Sequence, residues 1–408
     1  MSGSGRRYAD GDAVIVDAVR TPRGRGSARG ALAGLRPVEL VGALGPALLA
    51  RAGLGPDDVD DLILGVVGQV GDQGADLARI AALWMGWTAT PGQTVNRFCC
   101  SGLDALVGAA ARVRAQPGLI VAGGVESLSR VPMFADAGAW FADPDVAART
   151  GYVHMAVAAD LVASRHGVDR AAIDACALAS HQRALAARER GAARSLVPVV
   201  VDGRVVLGQD GLARADLTAE ALAALPALQG GDDPAFAAGR ATVQARFPEV
   251  ALAARHSRAT APALADGAAL AVLADGATAR GRGLPVRARV RGWASVAVDP
   301  VEMLTGNVPA ITRALAAAGL TMAEVDAIEL NESFAAVVVH AVRALGLAED
   351  RVNADGGAIA LGHPLGCTGA KLTATLLHEL RRRGGRYGIV TMCIGGGMGA
   401  AGLFEAIH

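Results

Sequence analysis

This sequence of 408 residues has few aromatic residues and little lysine, and its formal net charge is zero. Only 3% of the residues are aromatic, whereas 52% are hydrophobic and 53 are glycine, so small aliphatic side chains must fill the core. This composition favours closely packed layers of helices and strands over a β-sandwich. Lys plus Arg equals Asp plus Glu at 39 each, which argues against nucleic acid or a membrane surface as the partner.

The cysteines and the apolar runs exclude further classes of protein. The five cysteines are an odd number and lack the Cys-x-x-Cys spacing of a zinc site, so we expect neither a metal nor a disulfide framework. No run of about 18 or more apolar residues is present, so no transmembrane helix is predicted. Residues 1–12 are too polar for a signal peptide, and we expect a cytoplasmic protein.

The last third of the chain repeats the first third at an offset of 266 to 269 residues. Three pairs of segments agree in order and spacing. The pairs are residues 48–64 with 314–330, residues 101–105 with 368–372, and residues 120–121 with 389–390. Two similar halves would pack so that their corresponding helix N-termini meet at a shared interface, a common place for a site.

Predicted strands and helices alternate in the first third, and the alternation resumes near residue 266, which predicts a largely parallel, layered α/β sheet. One of these strands, at 119–122, is expected to end at Gly123 and Gly124. The middle third lacks the alternation, and residues 229–248 are rich in Gly, Asp and Pro, which predicts a surface loop. The expected units are an N-terminal half at 11–129 completed by 261–280, an inserted loop domain at 130–260 and a C-terminal half at 281–408.

The segment 95–102 joins two thiols to the start of a helical pattern. Cys99 and Cys100 end a loop, and apolar residues follow at helical spacing from Leu103. A thiol at a helix N-terminus feels the positive end of the helix dipole, so we expect a thiolate that attacks carbonyls. Two buried cysteines that act as small hydrophobic residues are the alternative.

Three further segments carry polar groups at positions typical of a site. Asn331 directly follows a predicted strand, where α/β enzymes place functional residues, although a turn or helix cap is the alternative. His363 lies in a loop walled by glycines that permit close approach of a ligand. Cys393 ends an apolar strand before the glycine-rich segment 395–399, whose N–H groups suit an oxyanion; a buried strand residue is the alternative.

Together these segments resemble the thiolase family, the acetyl-CoA acyltransferases. The matching motifs are Asn-Arg-Phe-Cys-Cys-Ser-Gly at 96–102, Gly-Gly-Val-Glu-Ser at 123–127, Ser-Arg-Val-Pro-Met at 129–133, Asn-Glu-Ser-Phe at 331–334, Gly-His-Pro at 362–364 and Cys-Ile-Gly-Gly-Gly-Met-Gly at 393–399. They span most of the chain in the family's order. The resemblance implies a duplicated α/β fold in five layers, αβαβα, with an inserted loop domain, and a homodimer or homotetramer.

The resemblance also implies a role for each reactive group. Cys99 would be the nucleophile, and His363 would take its proton. His363 would also help to hold the thioester enolate oxygen, together with a water on Asn331. Cys393 would pass protons between the acetyl carbanion and the second thiol substrate, and the backbone N–H groups of Cys99 and Gly395 would form the oxyanion hole.

Four residues are assigned to substrate binding by the same resemblance. Arg214 would lie near the CoA nucleotide, His154 and Met155 in a loop that covers the acyl group, and Phe334 beside Asn331. A solvated surface arginine is the alternative for Arg214, and core packing is the alternative for His154 and Met155.

Three positions depart from the family's motifs. In the run 257–262, Pro262 stands where relatives have a serine that touches the pantetheine arm. Asn307 stands where proline is usual, and Ser333 stands where alanine is usual. We expect the catalytic residues to be retained and acyl or CoA recognition to be altered.

The implied activity is cleavage of 3-ketoacyl-CoA by CoA to acetyl-CoA and a shortened acyl-CoA, as in fatty-acid β-oxidation, where a partner subunit can be present. CoA is then a substrate, and no other cofactor is expected. Condensation of two acetyl-CoA molecules is the alternative within the family. A non-catalytic homologue that binds acyl-CoA is the third interpretation, motivated by the altered run 257–262.

Iodoacetamide should alkylate Cys99 far faster than Cys100, because only Cys99 occupies the motif position that faces His363, whereas the resemblance makes Cys100 structural. Peptide mapping after a short exposure measures the label on each thiol. A Cys100→Ala variant is the control and should be labelled at the rate of the parent chain. Label found mainly on Cys100 would overturn the assignment.

Overall fold

The computed structural model describes residues 8–192, 194–229 and 234–408. Its strands are β1 (Ala13–Arg20), β2 (Gly24–Arg25), β3 (Asp61–Gly65), β4 (Gly92–Val95), β5 (Leu119–Ser127), β6 (Val199–Val201), β7 (Arg204–Leu207), β8 (Ala265–Asp275), β9 (Ala288–Ala297), β10 (Val325–Leu330), β11 (Tyr387–Ile394) and β12 (Met398–Ala406). Its helices are α1 (Pro37–Ala52), α2 (Leu77–Trp84), α3 (Ser101–Ala115), α4 (Ala139–Ala142), α5 (Pro144–Thr150), α6 (Met155–Arg165), α7 (Arg170–Glu189), α8 (Ala219–Ala223), α9 (Pro234–Arg246), α10 (Gly276–Gly281), α11 (Asn307–Ala318), α12 (Ala335–Leu345), α13 (Ala358–Leu361) and α14 (Thr368–Arg383).

The main sheet of the described residues runs in the order β10-β11-β12-β9-β1-β8-β5-β3-β4, with β2 beside β8. Three of its strand pairs, β10–β11, β3–β5 and β3–β4, are parallel and the others are antiparallel. The prediction of a largely parallel sheet is therefore wrong. β8 enters between β1 and β5 after the inserted segment and runs antiparallel to both. The short turn between β11 and β12 permits only an antiparallel pair.

Within the described residues, helices form layers on both faces of each half of the sheet. α3 and α14 lie between the halves, where Leu106 and Leu376 belong to one buried cluster with strand residues of both. α1 and α2 cover the outer face of the first half, and α11 and α12 cover that of the second. The predicted αβαβα arrangement is confirmed. The repeat is also visible in detail, since α1 and α11 both end at a left-handed glycine, Gly53 with φ 71° and Gly319 with φ 67°.

The segment between β5 and β8 contains α4 to α9 and the β6–β7 hairpin. Residues 229–248 are not the surface loop that their composition predicts, because α9 occupies Pro234–Arg246; residues 230–233 of that prediction lie outside the described part of the chain. Of the glycines in this segment, Gly239 lies within the helix itself, and proline is tolerated in a first helical turn. Val243 and Phe247 are buried against Val157 of α6, so tertiary packing stabilises α9.

β5 does not end at Gly123 and Gly124 but continues to Ser127. The two glycines pair with Leu270 and Ala269 of β8 as ordinary strand residues. Glycine is required here because the backbone of another segment approaches closely, and not because the chain turns. A Cβ on Gly124 would overlap the carbonyl oxygen of Gly366.

The first turns of α3 and α14 touch each other through glycine. A Cβ on Gly102 would lie 2.6 Å from the carbonyl oxygen of Gly366, and a Cβ on Gly369 would overlap the backbone of Leu103. Side chains are therefore excluded from this contact. The loops that precede the two helices, which carry Cys99 and His363, are brought together as a result.

Gly369→Ala should destabilise the protein by about 1–3 kcal/mol, because the added methyl group forces α14 away from α3. Gly108→Ala is the matched control on α3, since nothing lies within 4 Å of its Cβ position. That control should raise the free energy of unfolding by about 0.5–1 kcal/mol through helix propensity. Urea unfolding of both variants measures the difference, and equal stability changes would show that the helix contact tolerates a side chain.

Candidate active site

Cys99 lies in a sharp turn between β4 and α3 that its neighbours hold in place. Phe98 has φ 46°, a left-handed conformation that is unusual for an aromatic residue. Its N–H group donates to Asn96 Oδ1 at 2.8 Å, and Asn96 Nδ2 donates to the carbonyl oxygen of Val67 at 3.1 Å. The Ser101 hydroxyl accepts the N–H group of Arg97 at 2.9 Å. Short polar side chains thus stabilise the strained turn and fix the direction of the thiol.

The Cys99 thiol is protonated in this environment. Burial raises its pKa to about 12, while the backbone N–H groups of Cys99 and Gly395 oppose this by donating toward the sulfur. Desolvation therefore outweighs the helix terminus, which by itself favours the thiolate. α3 itself begins at Ser101, and Cys100 is its cap residue, so Cys99 lies outside the first turn. Attack on a carbonyl then requires a base that removes the proton.

His363 has the protonation state of such a base. Its Nδ1 lies 2.7 Å from Thr368 Oγ1, and that hydroxyl donates to the carbonyl oxygen of Pro364 at 2.8 Å. The hydroxyl must therefore accept from Nδ1–H, which leaves a lone pair on Nε2. Burial, assisted by the charge of Lys371, lowers the pKa of His363 to about 3, so the ring is neutral. Thr368 is a residue that sequence reasoning missed, although it lies only five positions after the histidine.

Asn331 links the imidazole to the second thiol. Its Nδ2 lies 3.5 Å from His363 Nε2 and donates to the Ser333 hydroxyl at 2.9 Å. The Cys393 thiol donates to the same hydroxyl at 3.2 Å. Asn331 Oδ1 is buried and has no hydrogen-bond donor among the described residues, so it is open to a donor from a substrate or solvent. Ser333, which departs from the family's alanine, is therefore in direct contact with the site.

Cys393 lies at the end of β11, directly before the turn that leads to β12. Burial raises its pKa to about 11, whereas the Ser333 hydroxyl lowers it. The two thiols are close enough that a negative charge on Cys393 would also raise the pKa of Cys99. Gly396 and Gly397 have φ 78° and 74°, a left-handed conformation that favours glycine. The turn that they form directs the Gly395 N–H group toward the Cys99 sulfur.

A buried carboxylate, Glu126, fixes the loop that carries the histidine. Glu126 Oε2 accepts the N–H groups of Val67 at 3.0 Å and Gly366 at 2.7 Å. Burial raises the pKa of Glu126, although these hydrogen bonds oppose the shift. The residue therefore ties the strand ends of the first half to the turn that follows His363. Its position inside the motif at 123–127 was the only sequence signal.

The altered run 257–262 lies beside His363 rather than at a distance from it. The His363 N–H group donates to the carbonyl oxygen of Ala263 at 2.9 Å, and Ala335 N–H donates to Thr260 at 3.0 Å. The Ser257 hydroxyl is buried and has no partner among the described residues. A change in this run can therefore alter both the backbone that supports the histidine and the polar groups around the site.

An apolar cavity of 70 Å³ opens beside Cys99 and Gly395. The aromatic and methionine side chains around it come from the turn before α3, from the segment between β5 and α6 and from the first residue of α6. They are Phe98, Met133, Phe134, Trp140, Phe141, Tyr152 and Met155. The cavity therefore lies where the acyl part of a substrate attached to Cys99 would extend.

The four predicted substrate contacts fall in different places. Met155 lines the cavity. His154 caps α6, where its Nδ1 accepts the Ala156 N–H group, and Phe334 is 7% exposed and packs edge-on against His256. The Arg214 side chain is exposed and lies 3.5 Å from Asp216. Of these four residues, only Met155 lies in the cavity wall. The substrate-binding roles of the other three remain predictions.

In the part of the chain that the structure describes, no group of three or more His, Cys, Asp or Glu side chains is arranged to hold a metal ion. No helix in the same residues is long and apolar enough to cross a membrane.

Known proteins with similar sequences and structures were found over nearly the whole chain. Family models match residues 13–245, described as "Thiolase, N-terminal domain", and residues 284–406, described as "Thiolase, C-terminal domain". A 3-ketoacyl-CoA thiolase of Bacillus subtilis (strain 168) is 39% identical over 97% of this chain and 99% of its own length. A beta-ketoadipyl-CoA thiolase of Pseudomonas putida is 38% identical over 97% and 100%. The crystal structure of the Bacillus anthracis acetyl-CoA acetyltransferase has a TM-score of 0.84 and 33% identity over 97% of this chain and 99% of that one.

Thr368→Val should slow acetylation of Cys99 by acetyl-CoA roughly 10- to 100-fold, because Nδ1 of His363 loses the acceptor that fixes its tautomer. Thr373→Val is the matched control: its hydroxyl is equally buried on α14 and donates to Gly369 at 2.9 Å, but does not contact His363. Rapid quenching and mass spectrometry measure the acetylation rate. An equal loss in both variants would assign the effect to packing of the helix instead.

Proposed function

The chain belongs to the thiolase family, and we propose that it cleaves 3-ketoacyl-CoA with CoA to acetyl-CoA and an acyl-CoA shortened by two carbon atoms. It is an acyltransferase, as are the 3-ketoacyl-CoA thiolases that it resembles. One observation carries the proposal: two neighbouring thiols share a buried site with a neutral imidazole whose Nε2 carries a lone pair.

The first half-reaction forms the acyl-enzyme. The Cys99 sulfur attacks C3 of the substrate while its proton passes to His363 Nε2. The oxygen on C3 becomes negative and is held by the N–H groups of Cys99 and Gly395, a contribution of about 3 kcal/mol for each donor. The bond between C2 and C3 then breaks, and Cys393 protonates the departing acetyl-CoA carbanion.

The second half-reaction returns every group to its starting state. The Cys393 thiolate removes the proton of incoming CoA, and the CoA sulfur attacks the thioester on Cys99. The Cys99 sulfur leaves and recovers its proton from His363. Because the protons balance among two thiols, one imidazole and the substrates, we propose that no further cofactor takes part.

The polar contacts of Asn331 and Ser333 support the roles proposed for the acid–base pair. Asn331 Oδ1 can accept from a water that in turn donates to the enolate oxygen of the leaving acetyl-CoA. The Ser333 hydroxyl lowers the pKa of Cys393, which burial raises to about 11, and this makes the thiol a better acid toward the carbanion.

Condensation of two acetyl-CoA molecules is the second candidate reaction. The same residues run both directions by microscopic reversibility, and the similar structure from Bacillus anthracis is named as an acetyl-CoA acetyltransferase. We favour cleavage because the cavity beside Cys99 offers more room than an acetyl group fills.

We also propose that the chain acts as a homo-oligomer in cytoplasmic fatty-acid degradation, with its acyl site between the inserted domain 130–260 and the two halves. Support for assembly comes from β4, which lies at the edge of the sheet and has one side unpaired among the described residues. The neighbouring helix α2 exposes Ile80, Leu83 and Trp84, at 43%, 46% and 50%. An edge strand beside an apolar patch suits pairing with a second copy.

Cys99→Ser should abolish the covalent acyl-enzyme, whereas Cys393→Ser should retain it. Cys99 is activated by His363, so acetyl-CoA still acetylates it when Cys393 is absent. The second variant should instead lose turnover by on the order of a hundredfold or more, because proton delivery to the carbanion is missing. Mass spectrometry after mixing with acetyl-CoA, and CoA-dependent cleavage of acetoacetyl-CoA, measure the two effects.

Cys100→Ser is the matched control, and it should retain both the acyl-enzyme and turnover. If the acetyl group remains on residue 393 when Cys99 is replaced, the nucleophile and the acid–base residue are assigned the wrong way round. If the parent chain forms no acyl-enzyme and cleaves no 3-ketoacyl-CoA, the non-catalytic interpretation replaces the proposal.

A further inference from the structure

The cavity beside Cys99 is enclosed by aromatic rings. The Phe98 and Trp140 rings lie 5.4 Å apart, and Tyr152 meets Trp140 edge-on at 5.0 Å. The Trp140 ring also lies against Gly395, since a Cβ there would be 3.6 Å from it. These contacts position the rings by packing against one another, so the wall is rigid and apolar next to the reacting sulfur.

The charges around the cavity are of one sign. Among the described residues that line it, no lysine, arginine or histidine is present, and the carboxyl groups belong to Glu126 and Asp136. Glu126 already accepts hydrogen bonds from backbone N–H groups, and Asp136 is exposed at the rim. A negative charge on the substrate tail would therefore lose its hydration and meet no cation.

The size of the cavity limits the tail that fits. An apolar cavity of about 150 Å³ admits benzene. The 70 Å³ beside Cys99 is therefore enough for a chain of roughly three or four carbon atoms beyond the carbonyl group. Longer tails would require a lining side chain such as the exposed Phe134 to move.

We propose that this cavity selects 3-ketoacyl groups with a short, uncharged, apolar tail and rejects tails that end in a carboxylate. The proposal rests on the proposed function and adds its substrate class. It separates this chain from its relative in Pseudomonas putida, which is named for beta-ketoadipyl-CoA, a substrate whose tail ends in a carboxylate.

A matched pair of substrates tests the selection directly. 3-Ketohexanoyl-CoA and 3-ketoadipyl-CoA have equal chain lengths and differ only in a terminal methyl group or carboxylate. We expect kcat/KM for the hexanoyl substrate to be higher by about a hundredfold or more, since the unpaired carboxylate is buried in the transition state. Acetoacetyl-CoA serves as the reference, because its tail does not reach the cavity wall.

Met133 provides the variant that should change the preference. Its side chain lines the cavity and packs against the cluster of Cys99, Leu128 and Leu365. Met133→Arg should place a cation there and reduce the preference for 3-ketohexanoyl-CoA at least tenfold. Met133→Leu is the uncharged control and should keep the preference of the parent chain.

The outcomes distinguish the two proposals. Cleavage of acetoacetyl-CoA with equal or better use of 3-ketoadipyl-CoA would overturn the selection and leave the proposed function standing. Failure to cleave any of the three substrates would overturn the proposed function, and the selection with it. An unchanged preference in Met133→Arg, in a variant that still cleaves acetoacetyl-CoA, would contradict the placement of the tail.

Discussion

The contact between the first turns of α3 and α14 is the constraint on which the site depends. Gly102 and Gly369 bring no side chain of their own to this contact, so the first turns and the loops before them approach each other closely. One loop carries Cys99 and the other carries His363. Because the two helices are equivalent elements of a duplicated half, the proposed catalytic pair is formed at the symmetry-related ends of the repeat, and neither half contains it alone. Packing without side chains is here a requirement of function as well as of stability.

Short-range patterns were sufficient to propose the reactive groups, whereas the chemical state of these groups depends on long-range packing. The thiol at the start of α3, the histidine among glycines and the thiol before a glycine turn are all visible in a few residues of sequence. The pKa of Cys99 is not visible in the local sequence, because the burial of this thiol depends on how the inserted segment and both halves cover it. Strand direction around β8 and the helix α9 depend on the same long-range contacts, which explains why the sheet and the 229–248 segment were predicted wrongly.

The site works with neutral groups rather than with a resting ion pair. A protonated thiol, a neutral imidazole and a second protonated thiol all avoid the cost of burying a charge. Charge appears only when a carbonyl oxygen is placed to receive it, beside the N–H groups of Cys99 and Gly395. The polar residues around the pair, Thr368 and Ser333, therefore act by fixing which atom donates and which accepts.

Burial of both thiols has a further consequence for the endurance of the protein. Peroxides and disulfides oxidise thiolates, and thiols only through their small ionised fraction. With the pKa of Cys99 at about 12 and that of Cys393 at about 11, that fraction is very small at neutral pH. The two sulfur atoms are neighbours and would otherwise be exposed to irreversible damage between turnovers. The small ionised fraction in this way slows oxidation of both thiols between turnovers.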